Sequence, residues 1–273
     1  MRYLARTADG RPLVGDDTGF VPLQSAYPDA SSVRDALPRA TTGLDELGAA
    51  TADPVARDAF RFGPCLSRPG KLFGIGLNYA DHAADLSEDP PDEPASFFKP
   101  ATAATGPGGP IRLPPTEESE RVTAEAELAV VIGRTCRDVS VDDADDVIAG
   151  YTPVIDMTAE DVLQRNPRYL TRAKSYDTFL VLGPHVAVPE RDASLDDVEV
   201  RTVVDGEVRA RNTVANMHFS PRELVARHSS VMTLEPGDVI STGTPGAHHI
   251  TPGDHVRAEV DRIGTVAADV VRQ

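Results

Sequence analysis

Residues 124–133 read AEAELAVVIG, and no other stretch restricts the fold as much. On a strand, residues two apart share a face, so Glu125, Glu127, Ala129 and Val131 point one way. Ala126, Leu128, Val130 and Ile132 point the other. Both faces are apolar toward the end of the run, the pattern of a strand covered on both sides. Two glutamates on one face of such a strand need an explanation, because a buried carboxylate is costly unless it is paired or binds a metal. Taken alone, the pair is more simply read as a strand end emerging into solvent.

A third carboxylate changes that balance. Asp156 ends another apolar run, TPVID. Three carboxylates converging from strand ends suit a hard divalent cation with further oxygen ligands. That description fits Mg²⁺, or Mn²⁺, better than Zn²⁺, which usually recruits His or Cys.

The surrounding chain is β-rich. Strands are expected in KLFGIGL, SFFKP, AELAVVIG, GYTPVID, FLVLG, VEVRTVVDG, DVIST and HVRAEVDRIG, separated by turns such as Asp205-Gly206 and Pro236-Gly237. Helices are expected at 142–149, 158–164 and 221–232, the last with Ser220 as N-cap and Pro221 in its first turn. Strands outnumber helices and do not alternate with them, so a large mixed sheet folded on itself is expected, an α+β, β-rich class. Residues 1–65 read as a small N-terminal α+β domain. It contains a hairpin turning at Asp9-Gly10 and a helical stretch at 44–60 interrupted by Pro54. The segment 63–70 is rich in Pro and Gly and marks the boundary to a second domain, 66–273.

Further candidate chemistry lies in GIGLNYADHAAD, residues 74–85. A short helix there would place His82 and Asp85 on one face, where a carboxylate can orient an imidazole that activates water. The proline-rich, acidic stretch at 86–95 that follows reads equally as a solvated loop or as a lid. Lysine is scarce, three residues against twenty-four arginines, so Lys99 in FFKP and Lys174 in RAKSYD are candidate ligand contacts. STGTPG, 241–246, offers hydroxyls and glycine amides suited to a carboxylate.

The net charge of −16 argues against nucleic acid or an anionic membrane as partner. No apolar run reaches membrane-spanning length, and MRYLARTADG lacks a signal-peptide core, so a cytoplasmic location is expected. Cys65 and Cys136 have no metal or redox spacing and are expected to be free thiols.

In order along the chain, KLFGIGLNYADHA, SFFKP, AEAELAVVIG, AGYTPVIDMTAED, AKSYDTFLVLGP, LEPGDVISTGTPG and GDHVRAEVDRIG resemble the fumarylacetoacetate hydrolase family from about Lys71 to the C-terminus. The resemblance implies a mixed β-sandwich roll, a homodimer and a Mg²⁺ or Mn²⁺ site held by Glu125, Glu127 and Asp156. It implies His82 as general base, Lys174 as the lysine contacting a bound oxo-acid, Thr244 near the substrate carboxylate, and a mobile lid around His82. Where the family usually carries Glu, Arg and Gln, this chain carries Asp85, Glu160 and Leu163. The implied activity is metal-dependent hydrolysis of a C–C bond in an acylpyruvate-like 2-oxo acid. Oxaloacetate-type decarboxylation, or isomerisation or hydration of a 2-oxo acid, would use the same platform. A homologue that keeps the metal but only binds a ligand is a further alternative.

Overall fold

The computed structural model describes residues 1–44, 50–79, 91–190 and 193–272. Two sheets dominate. The larger is mixed and twelve-stranded. Its main path runs Gly19–Pro22, Pro12–Asp16, Arg2–Arg6, His185–Val188, Ile148–Ala159, Val122–Ile132, Val239–Ser241, Leu72–Gly76 and Ala95–Lys99. The smaller has five strands in the order Glu207–Thr213, Glu199–Val204, His255–Val260, Gly264–Arg272 and Ile111–Leu113. This is the β-rich roll expected from the sequence.

The two central strands explain why both faces of residues 124–133 are apolar. Every residue of Val122–Ile132 and of Ile148–Ala159 is buried. Ala126, Leu128 and Val130 pack in one cluster with Val200, Val256 and Ala258 of the smaller sheet. Ala129 and Val131 face the other way, into a cluster with Leu4, Val14 and Leu37 from the first forty residues. A strand sandwiched between two apolar layers can carry apolar side chains in both phases of its period. The N-terminal hairpin is itself continuous with the large sheet, because Arg2–Arg6 pairs antiparallel with His185–Val188.

Helices are few. Pro221–Val231 forms as expected, with Ser220 and Glu223 making a reciprocal capping box. Three other expectations need correction. The stretch 142–149 holds a single 3₁₀ turn, Ala144–Asp146, and is already strand from Ile148. The strand containing Asp156 runs on to Ala159, so the next helix starts at Glu160 and ends at Arg165. Of the helix expected at 44–60, the described part contains only the 3₁₀ turn Arg57–Ala59 and an isolated bridge at Val55. The N-terminal helix lies instead at Val33–Ala40, capped by Ser32 and Asp35. Here the capping box and the buried Val33, Ala36 and Leu37 outweigh the helix-breaking tendency of Pro38.

A candidate metal centre of three carboxylates

Register builds the site. Glu125 lies directly opposite Asp156 in the antiparallel pair Val122–Ile132 and Ile148–Ala159. Directly opposed residues share a face, and Glu127 lies two residues from Glu125 on that same face. The three side chains offer oxygen atoms that all lie within 4.8 Å of one another. Glu125 is 8% exposed, Glu127 2% and Asp156 0%. The glutamates therefore do not emerge into solvent.

Each carboxylate is held by named neighbours. Thr158 Oγ1 donates to Glu125 Oε1 at 2.8 Å. Ser241 Oγ and the Gly243 amide both donate to Glu127 Oε2, at 2.5 and 2.8 Å. The amide can do so because Gly243 adopts φ +96°, a conformation that L side chains rarely take. A Cβ there would also stand 2.8 Å from Asn78 Cβ. Asn78 is itself tied to this loop, donating to the carbonyls of Thr242 (2.7 Å) and Phe219 (2.9 Å) and accepting from the Phe219 amide.

Two lysines share the pocket in different ways. Lys174 Nζ lies 2.9 Å from Glu125 Oε2 and 3.2 Å from Asp156 Oδ2. Burial works against its charge, but Asp156, Glu125 and Glu127 overcome that and hold its pKa above the ordinary lysine value. Lys99 Nζ lies 2.5 Å from Asp156 Oδ1. It also donates to the main-chain carbonyls of Met157, Lys174 and Phe179. An ammonium has three protons, so these carbonyls account for all of them. Burial pulls Lys99 down to about 8, with Asp156 opposing the shift and Lys174 adding to it.

With every group ionised, three carboxylates against two ammonium groups would leave one excess negative charge inside the protein. Glu127 bears that strain: burial, then Asp156 and Glu125, push its pKa up to about 8. Clustered, buried and hard oxygen donors with surplus negative charge fit a divalent cation of the Mg²⁺ or Mn²⁺ type.

Thr244 is buried beside the carboxylate loop, donating to the Gly246 carbonyl at 3.0 Å and accepting from the Gly246 amide at 3.2 Å. His82, Asp85 and residues 86–90 of the expected loop lie outside the described residues. Glu160 receives Arg121 Nε at 2.5 Å and Gln164 at 2.9 Å, so an ion pair occupies that position. Leu163 packs against the core. Arg165 is paired with Asp161, and Arg172 with Glu118. Both cysteines are free and buried. Among the described residues no helix is long and apolar enough to cross a membrane.

Thr158 and Asn78 are not among the candidates named from the sequence. Thr158 could have been found, since it follows Asp156 by two residues and so shares its face. Asn78 acts through contacts distant in sequence and leaves no local signal.

The fumarylacetoacetate hydrolase C-terminal family model matches residues 71–271. A 4-hydroxyphenylacetate degradation bifunctional isomerase/decarboxylase from Escherichia coli is 40% identical over 212 residues, which cover 77% of this chain and 49% of that protein. The crystal structure of 5-carboxymethyl-2-hydroxymuconate delta-isomerase from Mycobacterium smegmatis is 35% identical, with TM-score 0.79 over 100% of this chain and 99% of the other. Maleylpyruvate hydrolase from Sphingobium sp. SYK-6, solved with manganese(II) and pyruvate, is 29% identical, with TM-score 0.79 over 99% of each chain. With the family's domain spanning nearly everything after residue 70, the chain belongs to the fumarylacetoacetate hydrolase family.

Proposed function

We propose that this chain is a divalent-metal-dependent hydrolase that cleaves a C–C bond in an acylpyruvate-like 2-oxo acid. The observation that carries the reading is the buried set Glu125, Glu127 and Asp156 with the Lys174 ammonium against two of its members. The manganese ion and pyruvate bound together in the related maleylpyruvate hydrolase support the same ligand class. A Mg²⁺ or Mn²⁺ ion held by the three carboxylates supplies Lewis-acid polarisation of an oxo-acid's carboxylate and adjacent carbonyl.

The chain's own groups do the rest. Lys174 offers positive charge where negative charge develops on the oxo-acid half. Thr244 meets the substrate carboxylate by turning its hydroxyl from the Gly246 carbonyl, while Ser241 and Gly243 of the same loop stay on Glu127. His82, oriented by Asp85, removes a proton from water as its oxygen adds to the distal carbonyl. The C–C bond then breaks, its electron pair passes to the pyruvate half, and that half takes up a proton. The products are pyruvate and the carboxylic acid of the acyl group.

Charge also narrows the substrate. With Glu127 ionised, the three carboxylates and two ammonium groups sum to −1, a divalent cation brings this to +1, and one carboxylate neutralises it. A second carboxylate would go uncompensated, and Glu160, held by Arg121, supplies no cation for it. A monoanionic acylpyruvate therefore fits better than a dianionic one.

A second reading is favoured by the 40% identity to a bifunctional isomerase/decarboxylase: loss of CO₂ or a proton shift on a 2-oxo acid, without attack by water. Steady-state assays with acetylpyruvate, fumarylpyruvate and oxaloacetate, each with Mg²⁺ and with Mn²⁺, separate the readings. The proposal expects acetylpyruvate to be split and preferred over fumarylpyruvate. Turnover of oxaloacetate alone would favour the second reading. No turnover, with a cation still raising the Tm, would leave a ligand-binding protein.

A further inference from the structure

Sheet register also sets an aromatic ring beside the carboxylates. Ser241 lies opposite Ala129 on one side and Gly74 on the other, and Gly74 lies opposite Phe97. These residues therefore share the face that carries Glu127, as the Ser241 hydrogen bond to Glu127 requires. Gly74 provides bare backbone beneath the ring. A Cβ at Gly74 would meet Phe97 Cζ at 2.2 Å, so the ring lies flat against the sheet where no side chain intervenes. The centroid of that ring is 4.9 Å from Lys174 Nζ. Its neighbour Phe98 belongs to the opposite face, its ring tilted against Phe73 and 48% exposed.

Phe97 is partly exposed, whereas Lys174, whose Nζ lies over its ring, is buried. Groups nearer the carboxylates are charged or hydroxylic: Lys174, Thr158 and Ser241. A substrate whose oxo-acid end sits among these groups must place its acyl end elsewhere, and the Phe97 ring offers an apolar, flat surface next to Lys174. We propose that Phe97 is a specificity-determining residue, an aromatic wall against which the acyl end of a 2-oxo acid packs. The inference rests on the oxo-acid reading given above and extends it: the substrate class is a monocarboxylate with an apolar or planar conjugated acyl group. Aromatic faces recognise such groups by contact area and offset stacking.

The test compares wild type, Phe97→Ala and Phe97→Tyr, each loaded with Mn²⁺ and checked for folding by circular dichroism. Mn²⁺ affinity is read by electron paramagnetic resonance, and two ligands are titrated calorimetrically. Oxalate carries the oxo-acid end without an acyl group; benzoylpyruvate carries both. Phe97→Ala is expected to bind Mn²⁺ and oxalate like wild type and to bind benzoylpyruvate about tenfold more weakly. Phe97→Tyr, which keeps the ring, is expected to restore most of that loss. Equal weakening of oxalate and benzoylpyruvate, or no weakening of either, would overturn the role of Phe97 while leaving the oxo-acid reading intact. Should Phe97→Ala not fold, Phe97→Leu, which keeps an apolar side chain without the ring, takes its place, and benzoylpyruvate and oxalate binding both unchanged from wild type would overturn the role of the ring. Wild type that binds neither ligand would sink both.

Discussion

Lys99 and Lys174 each hold a different oxygen of Asp156. Lys99 Nζ lies 2.5 Å from Asp156 Oδ1, while Lys174 Nζ lies 3.2 Å from Oδ2. The carboxylate is thus fixed between two ammonium groups, one saturated by main-chain carbonyls and one shared with Glu125. A carboxylate so constrained can present its oxygens to a cation without first having to be ordered.

The first consequence concerns stability. Lys99→Met leaves three carbonyls without their donor and Asp156 Oδ1 without its opposite charge, and breaking a buried pair in this way costs about 3–5 kcal/mol. Urea denaturation of the ion-free protein should show that loss. A change below about 1 kcal/mol, within the range of surface pairs, would mean the contact is dispensable.

Acidity gives the second. Glu127 is pushed up to about 8 from an ordinary 4.5 by burial and by its two carboxylate neighbours. Between those values the folded protein keeps a proton that the unfolded chain has lost. This contribution to stability is therefore greatest at the acid end and is lost as pH rises through 8. A cation must displace the same proton, so Mn²⁺ affinity should increase with pH, by up to about tenfold per unit below 8. Calorimetric titrations at pH 6, 7 and 8 provide the check; affinity that does not vary with pH would contradict it.

Replacing the same side chain separates repulsion from metal binding. Glu127→Gln keeps a carbonyl oxygen for the Ser241 and Gly243 donors but removes the excess charge. Without metal at pH 9 it should unfold at a higher temperature than wild type. Addition of Mn²⁺ at 100 times the wild-type Kd should stabilise wild type by about 2.7 kcal/mol and the variant far less. Equal stabilisation of both would remove Glu127 from the set of ligands.

Proton transfer supplies the fourth. His82→Ala should lower kcat for acetylpyruvate by about 10²–10⁴-fold, the range for loss of a general base, with Mn²⁺ affinity unchanged. Unaltered hydrolysis by a folded variant would exclude His82 from the mechanism.

Much of this molecule could be read in its sequence. The alternation in residues 124–133 was sufficient to place that strand between two layers, because the inside–outside period of a strand is local. What no local pattern carries is register. That Glu125 sits opposite Asp156, and Gly74 opposite Phe97, depends on pairing across the sheet. The same limit accounts for Lys99. Its scarcity drew attention, but its three carbonyl partners come from residues 58 to 80 positions away. Errors in the helices had a different origin. Acidic residues at 142–149 resemble a solvated helix, whereas Ile148 onward is drawn into the central sheet by burial on both faces.

Diffraction from crystals soaked in Mn²⁺, collected at a wavelength where manganese scatters anomalously, addresses the carboxylate centre most directly. The account predicts one strong anomalous peak among Glu125, Glu127 and Asp156, with oxygens from all three as ligands. No peak there, or a peak at a different group of side chains, would contradict it.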